Sequence, residues 1–297
     1  MRSETLKENI AAAWQLTSID KRSNLSQKEL FKEYIEPEIP VILTDAIRNW
    51  KAYGKYTPAF FKENYPNLTK TVKGVTYKMS DFIDLMLKST PENVAPYPFN
   101  LNVKENFPEL LSDIKPEVLY AKSDRINHPL MPQFMFKNTQ VYEIFLGGNG
   151  AHWPTLHIDA LFLHTQITQL YGAKDFFLYS PAQTAFLYPS KDNPKYSEVN
   201  IFNPDYNKHP LFKQAQVIKA TVEEGETILF PKGWWHTTQM HGPSISLGRI
   251  QLNASNWNDF CNDNYRNWKQ SGNKLRVPAL VYAKVLGQIM KLQESFS

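Results

Sequence analysis

Three residues of the chain have the types and spacing of a metal site. His157 and Asp159 are separated by one residue, and in an extended segment residues i and i+2 point to the same side. A further histidine, His236, lies far downstream at the end of the sequence Gly-Trp-Trp-His. Two histidines and one carboxylate on one face of an ion leave positions open for other ligands. That donor set favours non-haem Fe(II) and the activation of dioxygen.

The same residues also have a purely structural interpretation. Taken alone, a His-x-Asp triplet is more often a buried, hydrogen-bonded pair, and an aromatic-flanked histidine is often part of a core. The surrounding order favours the metal site, because the triplet is followed by a β-rich run, by Gly172-x-Lys174 and later by Trp-Trp-His before another strand. We therefore interpret His157, Asp159 and His236 as the metal ligands and the catalytic centre.

In this order of motifs the chain resembles the cupin-type JmjC family of oxygenases that depend on Fe(II) and 2-oxoglutarate. The resemblance is strongest to the group that contains the asparaginyl hydroxylase acting on hypoxia-inducible factor. It extends from about residue 30 to about residue 257 and includes the segment Pro-Val-Ile-Leu at 40–43, followed by Asn49-Trp50. The resemblance implies a mainly β fold with flanking helices, built on a double-stranded β-helix, which is the jelly roll of cupins and JmjC domains.

The resemblance also implies a dioxygenase reaction, in which 2-oxoglutarate and dioxygen occupy the open iron positions and 2-oxoglutarate is decarboxylated to succinate. The distal carboxylate of this cosubstrate needs a buried cation, for which charge-assisted hydrogen bonding favours Lys or Arg. The family's Gly-x-Lys motif assigns this role to Lys174, and Arg249 on the last strand is the competitor. One of the two must serve, although an exposed turn lysine and a strand-face salt bridge are their structural alternatives.

Further polar residues are expected, from the same resemblance, to complete the cosubstrate pocket. They are Thr165 and Gln251, at positions where the family often has Asn; Thr155, although the family's threonine precedes a proline and here the order is Pro154-Thr155; and Tyr97 and Asn100, near the family's cosubstrate tyrosine. His164 lies on the strand face opposite Thr165 and is expected to pack or to face the substrate. Trp234 and Trp235 are expected either to wall the site or to belong to the core.

Short strands with period-two patterning must carry these side chains. We predict strands at 41–43, 141–146, 161–170, 175–179, 217–222, 227–230 and 244–252, with the fifth and sixth forming a hairpin around Glu224-Gly225-Glu226. Helices are predicted from Ser26, which opens a capping box, from Thr57-Pro58, over 80–87 and from Pro278. Region 94–132 is predicted to consist of loops and short helices and region 188–212 to be a surface insert, and both are expected to choose the substrate.

Composition limits the other possibilities. The net charge is only +4, from 33 basic and 29 acidic residues, which makes nucleic acid an unlikely partner. Cys261 is the only cysteine and no apolar run has the length of a signal peptide or membrane span, so we expect a cytoplasmic protein with no membrane partner. Motifs of serine hydrolases, P-loop proteins and dinucleotide-binding proteins are absent.

We predict one oxygenase domain over residues 1–256, including an N-terminal α/β elaboration, and a helical appendage over 257–297 that forms a homodimer or packs on its own barrel. The predicted function is the hydroxylation of an amino-acid side chain in a protein, a peptide or a small metabolite. The alternatives are a non-oxidative metal cupin, such as an isomerase or a sugar-modifying enzyme, and a cupin that binds without turnover. Gly172-x-Lys174 argues against the first alternative and the triad argues against the second.

Overall fold

The structure is a computed structural model that describes residues 16–115, 125–132 and 142–294. Residue 141 at the start of a predicted strand, 116–124 of the predicted loop region, and the two ends of the chain lie outside the described residues. The strands, numbered β1 to β12 in chain order, are Asp20–Arg22, Val41–Leu43, Thr69–Val72, Val75–Lys78, Phe99–Asn102, Tyr142–Gly147, His164–Tyr171, Lys174–Tyr179, Ile218–Val222, Thr227–Phe230, Trp235–Gln239 and Ser244–Gln251.

A large sheet with the strand order β1-β2-β10-β7-β12-β6-β5 forms one wall of the fold. Its described pairs are antiparallel except for β1 with β2. β7 lies inside this sheet and is buried over most of its length, so its polar side chains need partners. Thr168 is hydrogen-bonded to Thr227 at 2.8 Å, and the amide of Gln169 donates to Ser244 at 2.8 Å.

A smaller sheet with the order β11-β8-β9 faces the large one. Apolar side chains from both sheets meet in a shared cluster that includes Ile42, Ile228, Phe176, Leu178 and Ile218. Sheet-on-sheet burial of this kind is what closes a jelly roll. The predicted fold class is confirmed: a mainly β, jelly-roll core with flanking helices.

Two of the strand predictions are wrong in part. Residues 217–230 do not form a hairpin, because β9 pairs with β8 in the small sheet whereas β10 pairs with β2 and β7 in the large sheet. The turn between them therefore crosses from one sheet to the other. The strand predicted at 161–170 begins only at His164, because Ala160–Phe162 is a 3-10 turn.

The flanking helices, numbered α1 to α6, are Gln27–Leu30, Pro58–Asn64, Met79–Leu87, Val103–Asn106, Trp257–Gln270 and Arg276–Glu294. Ser26 caps α1 in the predicted capping box with Glu29, and a π turn at Phe31–Ile35 continues it. Thr57 caps α2 by accepting a hydrogen bond from the backbone N–H of Phe60. Sequence reasoning missed the β3–β4 hairpin and β5, which extends the large sheet beside β6.

The two C-terminal helices close one end of the barrel. Trp257 and Phe260 of α5 and Leu286 of α6 share an apolar cluster with Leu161 and Leu252 of the core. Gly287 allows this approach, because a Cβ there would lie 2.2 Å from the indole nitrogen of Trp257. The division of the chain at residues 256 and 257 stays a prediction. Within the described ranges, no helix has the length and apolarity that crossing a bilayer requires.

A stripe of large apolar side chains on α6 remains exposed. Val281 is 57% exposed, Val285 55% and Leu292 63%, and the spacing of Val277, Val281, Val285 and Ile289 keeps them on one helix face. The buried face of α6, which includes Ala283 and Met290, packs on the protein's own core. Packing on the protein's own barrel is therefore compatible with a dimer through the opposite, exposed face. A homodimer through the exposed stripe stays a prediction.

If the exposed stripe forms a two-fold interface, a charge at its centre must dissociate the dimer, because a two-fold axis places that charge near its own copy. We expect Val285→Glu to change the protein from dimer to monomer in light scattering at micromolar concentration. Val75→Glu, at a 52% exposed position of β4, is the matched control and should leave the mass unchanged. A monomeric wild-type protein at high concentration would rule out the dimer.

Candidate metal centre

The two predicted histidine ligands are joined through their backbones. The N–H of His157 donates to the carbonyl of His236 at 3.0 Å, and the N–H of His236 donates to the carbonyl of His157 at 2.8 Å. Residues exchanging both hydrogen bonds in an antiparallel bridge project their side chains on the same face. The imidazole rings accordingly lie with their centroids 4.3 Å apart. His236 belongs to β11, and the segment 152–157 runs beside that strand through bridges at both ends.

The donor atoms of the three predicted ligands converge. The Nε2 atoms of His157 and His236 lie 3.6 and 3.8 Å from Oδ1 of Asp159. One donor atom from each residue falls within 4.8 Å of the others, which is close enough to hold one ion. Of the described residues, this is the group that satisfies the geometry of a metal site. The predicted convergence of His157, Asp159 and His236 is therefore present in the fold.

Both imidazoles are oriented by the same kind of contact. Nδ1 of His157 lies 3.2 Å from the carbonyl oxygen of Thr155, and Nδ1 of His236 lies 3.2 Å from that of Trp234. A carbonyl accepts only from a protonated nitrogen, so each ring carries its hydrogen on Nδ1 and presents a lone pair at Nε2. Contacts of this type fix the tautomer and the orientation of histidine ligands in metal sites.

The charges of the triad suit a divalent cation. Burial would raise the pKa of Asp159, but His236, His157 and a hydrogen bond from Thr165 outweigh it and hold the pKa well below its usual range. Burial, reinforced by the neighbouring His157, lowers the pKa of His236 to about 4. At neutral pH the site therefore presents an ionised carboxylate and a neutral imidazole at His236, the forms that bind metal.

A strained turn sets the direction of Asp159. The next residues include Leu161 and Phe162, with φ of 59° and 50°, a region that non-glycine residues rarely adopt. Asn256, fully buried at the start of α5, holds this turn by donating to the carbonyl of Phe162 at 3.1 Å and to that of Gln251 at 3.0 Å. The turn returns the chain to β7, where Thr165 donates a hydrogen bond to Asp159.

The triad opens into a cavity of about 370 Å³ between the two sheets. Such a volume is within the range of small-molecule sites. Lys174, 3% exposed, projects into it, and its Nζ donates to the Ser246 hydroxyl at 2.5 Å and lies 5.7 Å from the Phe145 ring centroid. In the part of the chain that the structure describes, no carboxylate forms an ion pair with Lys174, and burial lowers its pKa to about 7.

The turn before Lys174 requires a glycine at position 172. Its φ is 66°, and a Cβ at this position would lie 2.2 Å from the carbonyl oxygen of Pro243. Only glycine fits the turn that transfers the chain from β7 in the large sheet to β8 in the small one. Lys174 is the first residue after this crossing, and its side chain is thereby placed between the sheets.

The competitor, Arg249, is directed elsewhere. Ser246 of β12 faces the cavity, and Arg249, three residues further along the strand, faces the opposite side. Its residue borders the cavity, but its guanidinium carbon lies 5.3 Å from the ring centroid of Tyr142. Gln251 shares the face of Arg249 and is not part of the cavity lining, so the geometry favours Lys174 over these two side chains, and the assignment of the cosubstrate residues stays a prediction.

The remaining residues predicted to bind the cosubstrate fall into two groups, those that line the cavity and those that do not. Thr165 and Tyr97 line the cavity, and burial raises the pKa of the Tyr97 hydroxyl. Thr155 contributes a carbonyl to His157 and is not part of the cavity lining, so its predicted contact with the cosubstrate is not supported. Asn100 also stays outside the lining and donates a hydrogen bond to Glu143, which is inside it.

His164 lies opposite Thr165, as expected, and its partners are structural. Its Nδ1 accepts from the backbone N–H of Lys232 at 3.0 Å, and Nε2 lies 2.8 Å from Oγ of Ser255. Burial lowers its pKa to about 3. Trp234 and Trp235 are buried, with indole hydrogen bonds to Glu38 and Thr184, and belong to the core rather than to the cavity wall.

Sequence reasoning missed several residues that form the walls. They are Glu143, Phe145, Trp153 and Tyr196, and it also missed Ser246, which accepts the hydrogen bond of Lys174. Trp153 stacks on the imidazole of His157 with ring centroids 5.4 Å apart. Tyr196, from the 188–212 insert, also stacks on this imidazole, with centroids 6.0 Å apart. Side-chain alternation along β6 and β12 would have grouped Glu143 with Phe145 and placed Ser246 on one face of its strand. Which of these faces meets Lys174 follows only from the strand register, which the sequence does not show.

Comparison with known proteins agrees with this fold and geometry. The family model described as a cupin-like domain matches residues 61–257, more than half of the chain. The chain therefore belongs to the cupin-like, JmjC-type family.

Its relatives include HSPB1-associated protein 1 of Homo sapiens, 27% identical over 51% of this chain and 30% of that protein. Two from Arabidopsis thaliana are lysine-specific demethylase JMJ21, 26% identical over 83% of this chain and 26% of the relative, and lysine-specific demethylase JMJ30, 24% identical over 77% and 53%. The chain thus spans from about a quarter to about half of these relatives.

Removal of one imidazole should destroy the metal site. We expect His236→Ala to weaken anaerobic Fe(II) binding by at least about a hundredfold, since even changes of supporting residues around a metal cost up to that much. Calorimetric titration measures the loss. His152→Ala, an exposed histidine that precedes the triad, is the control and should bind like the wild type. Unchanged Fe(II) affinity in the His236 variant would remove His236 from the ligand set.

Proposed function

We propose that this protein is an Fe(II)- and 2-oxoglutarate-dependent dioxygenase that hydroxylates an amino-acid side chain. The observation that supports this proposal most strongly is that the two-histidine, one-carboxylate triad and the buried Lys174 share one cavity. A metal site alone would fit many cupins. A buried cation inside the same cavity, without a carboxylate partner among the described residues, favours a ligand that brings its own carboxylate.

The residues of the chain have separate tasks in this proposal. His157, Asp159 and His236 would hold Fe(II) on one face, and the backbone contacts to their Nδ1 atoms keep the rings in place. Lys174 and Ser246 would bind the distal carboxylate of 2-oxoglutarate through charge-assisted hydrogen bonds. Thr165 keeps the Asp159 carboxylate oriented. Bound Fe(II) would supply dioxygen activation coupled to decarboxylation of 2-oxoglutarate, which is chemistry that side chains lack.

The cavity walls support an oxidation that must exclude water. Phe145, Ile167, Leu163 and Ile250 give the cavity a largely apolar lining around its few polar groups. Tyr196 brings the 188–212 insert to the rim, so this insert is positioned to contact the substrate, in agreement with its proposed role in substrate choice. The names of JMJ21 and JMJ30 support a protein substrate and are compatible with oxidation at an N-methyl carbon. Cytoplasmic localisation remains part of the proposal.

Succinate release tests the proposal directly. With Fe(II), dioxygen and 2-oxoglutarate, the wild-type protein should release succinate, at a slow rate even before a substrate is found. Asp159→Ala removes the anionic ligand and should lower this rate to that of free Fe(II). Turnover that needs neither dioxygen nor 2-oxoglutarate, with zinc or manganese bound, would instead identify a non-oxidative cupin. Ligand binding without any turnover would identify a binding protein.

Cosubstrate binding should depend on pH through Lys174. Because the pKa of Lys174 is about 7, the fraction of molecules in which this lysine is neutral grows as the pH rises above 7. A bound carboxylate favours the protonated form and raises this pKa. Binding of 2-oxoglutarate should therefore take up a proton, and affinity should fall as the pH rises from about 7 to about 8.5.

Calorimetry at about pH 8 in buffers of different ionisation enthalpy measures this uptake, with Mn(II) as a redox-stable metal. Lys174→Arg is the matched control, because a guanidinium stays protonated and its binding should show no such uptake. Equal proton uptake in both proteins would show that Lys174 is not the group that pairs with the cosubstrate.

A further inference from the structure

Part of the 188–212 insert forms an additional strand beside the metal ligands. Residues 188–198 of the insert, the strap, pass antiparallel to the segment around His157. Two backbone hydrogen bonds of 2.8 and 2.9 Å join the segments, from the N–H of Ile158 to the carbonyl of Lys195 and from the N–H of Ser197 to the carbonyl of Leu156. Because β11 pairs with His157 on its other edge, the strap makes this ligand the middle residue of three adjacent segments.

The pairing places Tyr196 of the strap directly opposite His157. The two hydrogen bonds flank this pair instead of joining it, and the side chains of such a non-hydrogen-bonded pair come close together on one face. The rings accordingly stack, with centroids 6.0 Å apart and planes 15° from parallel. Trp153 stacks on the same imidazole at 5.4 Å. Two aromatic rings therefore restrict the orientation of a ligand whose Nε2 lies 3.6 Å from Oδ1 of Asp159.

A buried ion pair fastens the strap to the rest of the protein. Nζ of Lys195 is bonded to the carboxylate of Asp263 on α5, and the two side chains are only 16% and 5% exposed. Loss of either partner would leave a buried charge behind, so the pair resists opening. The same Nζ lies 5.4 Å from the ring centroid of Phe162, in the strained turn that follows Asp159. The strap is thus in contact with the surroundings of two ligands, His157 and Asp159.

The position of the Tyr196 ring depends on the strap. The residue is 42% exposed, so its location over the imidazole follows from the backbone pairing with His157 more than from enclosure in a core. A strap that orients His157 for metal must itself be stabilised when metal binds, because the coupling between two equilibria is reciprocal. The geometry therefore links the metal centre to the insert at the rim of the cavity.

We infer that Tyr196 and Lys195 are positioning residues of the metal centre, and that metal binding and closure of the strap stabilise each other. This inference rests on the metal site of the proposed function. Tyr196 holds the imidazole of His157 by stacking, and the ion pair of Lys195 with Asp263 holds Tyr196 in place. Since the strap belongs to the insert that is proposed to choose the substrate, a molecule that keeps the strap closed raises the metal affinity by the same coupling.

Removal of the Tyr196 ring should weaken metal binding although all three donor residues remain. We expect Tyr196→Ala to weaken Co(II) binding by about tenfold, at the lower end of the contribution of supporting residues around a metal. Tyr196→Phe keeps the ring and should restore wild-type binding to within about twofold, because stacking does not need the hydroxyl. Calorimetric titration of the full-length protein measures the affinity, with Co(II) as a redox-stable probe whose visible spectrum reports the ligand geometry.

Tyr206→Ala is the matched control for these titrations. Tyr206 belongs to the same insert and is 43% exposed, but its ring stacks on Phe212 instead of on a ligand. This variant should bind Co(II) with the affinity and the visible spectrum of the wild-type protein. A loss of affinity equal to that of Tyr196→Ala would show that any damage to the insert has this effect, and it would overturn the specific role of Tyr196.

Hydrogen exchange followed by mass spectrometry tests the reciprocal effect. Saturating Co(II) should slow exchange of the Ser197 amide, which closes the strap, by about tenfold in the wild-type protein, because linkage transfers the same factor. Tyr196→Ala should lose most of this protection. Lys195→Met keeps the stem but not the charge, and it should speed exchange in the metal-free strap. Amides of the β3–β4 hairpin are the internal reference and should exchange equally in every sample.

The outcomes separate this inference from the proposed function. Co(II) affinity that Tyr196→Ala leaves unchanged, or that falls as far in Tyr196→Phe, overturns the positioning role of the ring. Exchange of the strap that does not respond to Co(II) or to Lys195→Met overturns the linkage. In these cases the proposed function stands if the wild-type protein binds metal and releases succinate. If it binds neither Co(II) nor Fe(II), the proposed function fails and the inference fails with it.

Discussion

The candidate centre depends on one pair of backbone hydrogen bonds, between His157 and His236. These residues are far apart in the sequence, and the bridge brings them together only when the segment before Asp159 lies along β11. The bridge aligns the side chains, and the carbonyls of Thr155 and Trp234 then turn both Nε2 atoms toward Asp159. A metal site of this kind can exist only in the folded chain, so metal binding must add to the stability of the fold.

The second constraint on the site is the placement of the charged groups Lys174 and Asp159 in the cavity. Lys174 is buried with a hydroxyl as its hydrogen-bond partner, which disfavours its charged form until an anion arrives. Asp159, by contrast, stays ionised because histidines and Thr165 surround it. The strained turn at Leu161 and Phe162 and the glycine at 172 are local costs of the backbone that accompany the placement of these two groups in one cavity lining.

Much of the fold could be predicted from the sequence because strand patterns and caps are local, and the triad could be predicted because the order of its motifs resembles that of a known family. Period-two patterns indicated most of the strands of the core, and the spacing of His157 and Asp159 together with the later Trp-Trp-His indicated the three candidate ligands. The caps at Ser26 and Thr57 could also be predicted, since capping depends only on a few neighbouring residues.

The remaining features depend on which strands pair and in what register. Residues 217–230 have the pattern of a hairpin, yet their two strands lie in different sheets. The sequence favours Lys174 over Arg249 only through the family's Gly-x-Lys motif, and it takes the register of β12 to show that Arg249 lies beside Tyr142 on the other strand face. The pair Trp234-Trp235 is buried core, while the wall is formed by Trp153, whose neighbours come from distant segments. Glu143 could not be singled out for the same reason.

The most direct test of the metal centre is anomalous diffraction at the iron edge from crystals loaded anaerobically with Fe(II). We expect one anomalous peak, at about 2.0 to 2.2 Å from Nε2 of His157, Nε2 of His236 and a carboxylate oxygen of Asp159, as is usual for nitrogen and oxygen ligands of such ions. An iron peak elsewhere in the molecule, or one bound without either histidine, would contradict the assignment of this triad as the metal centre.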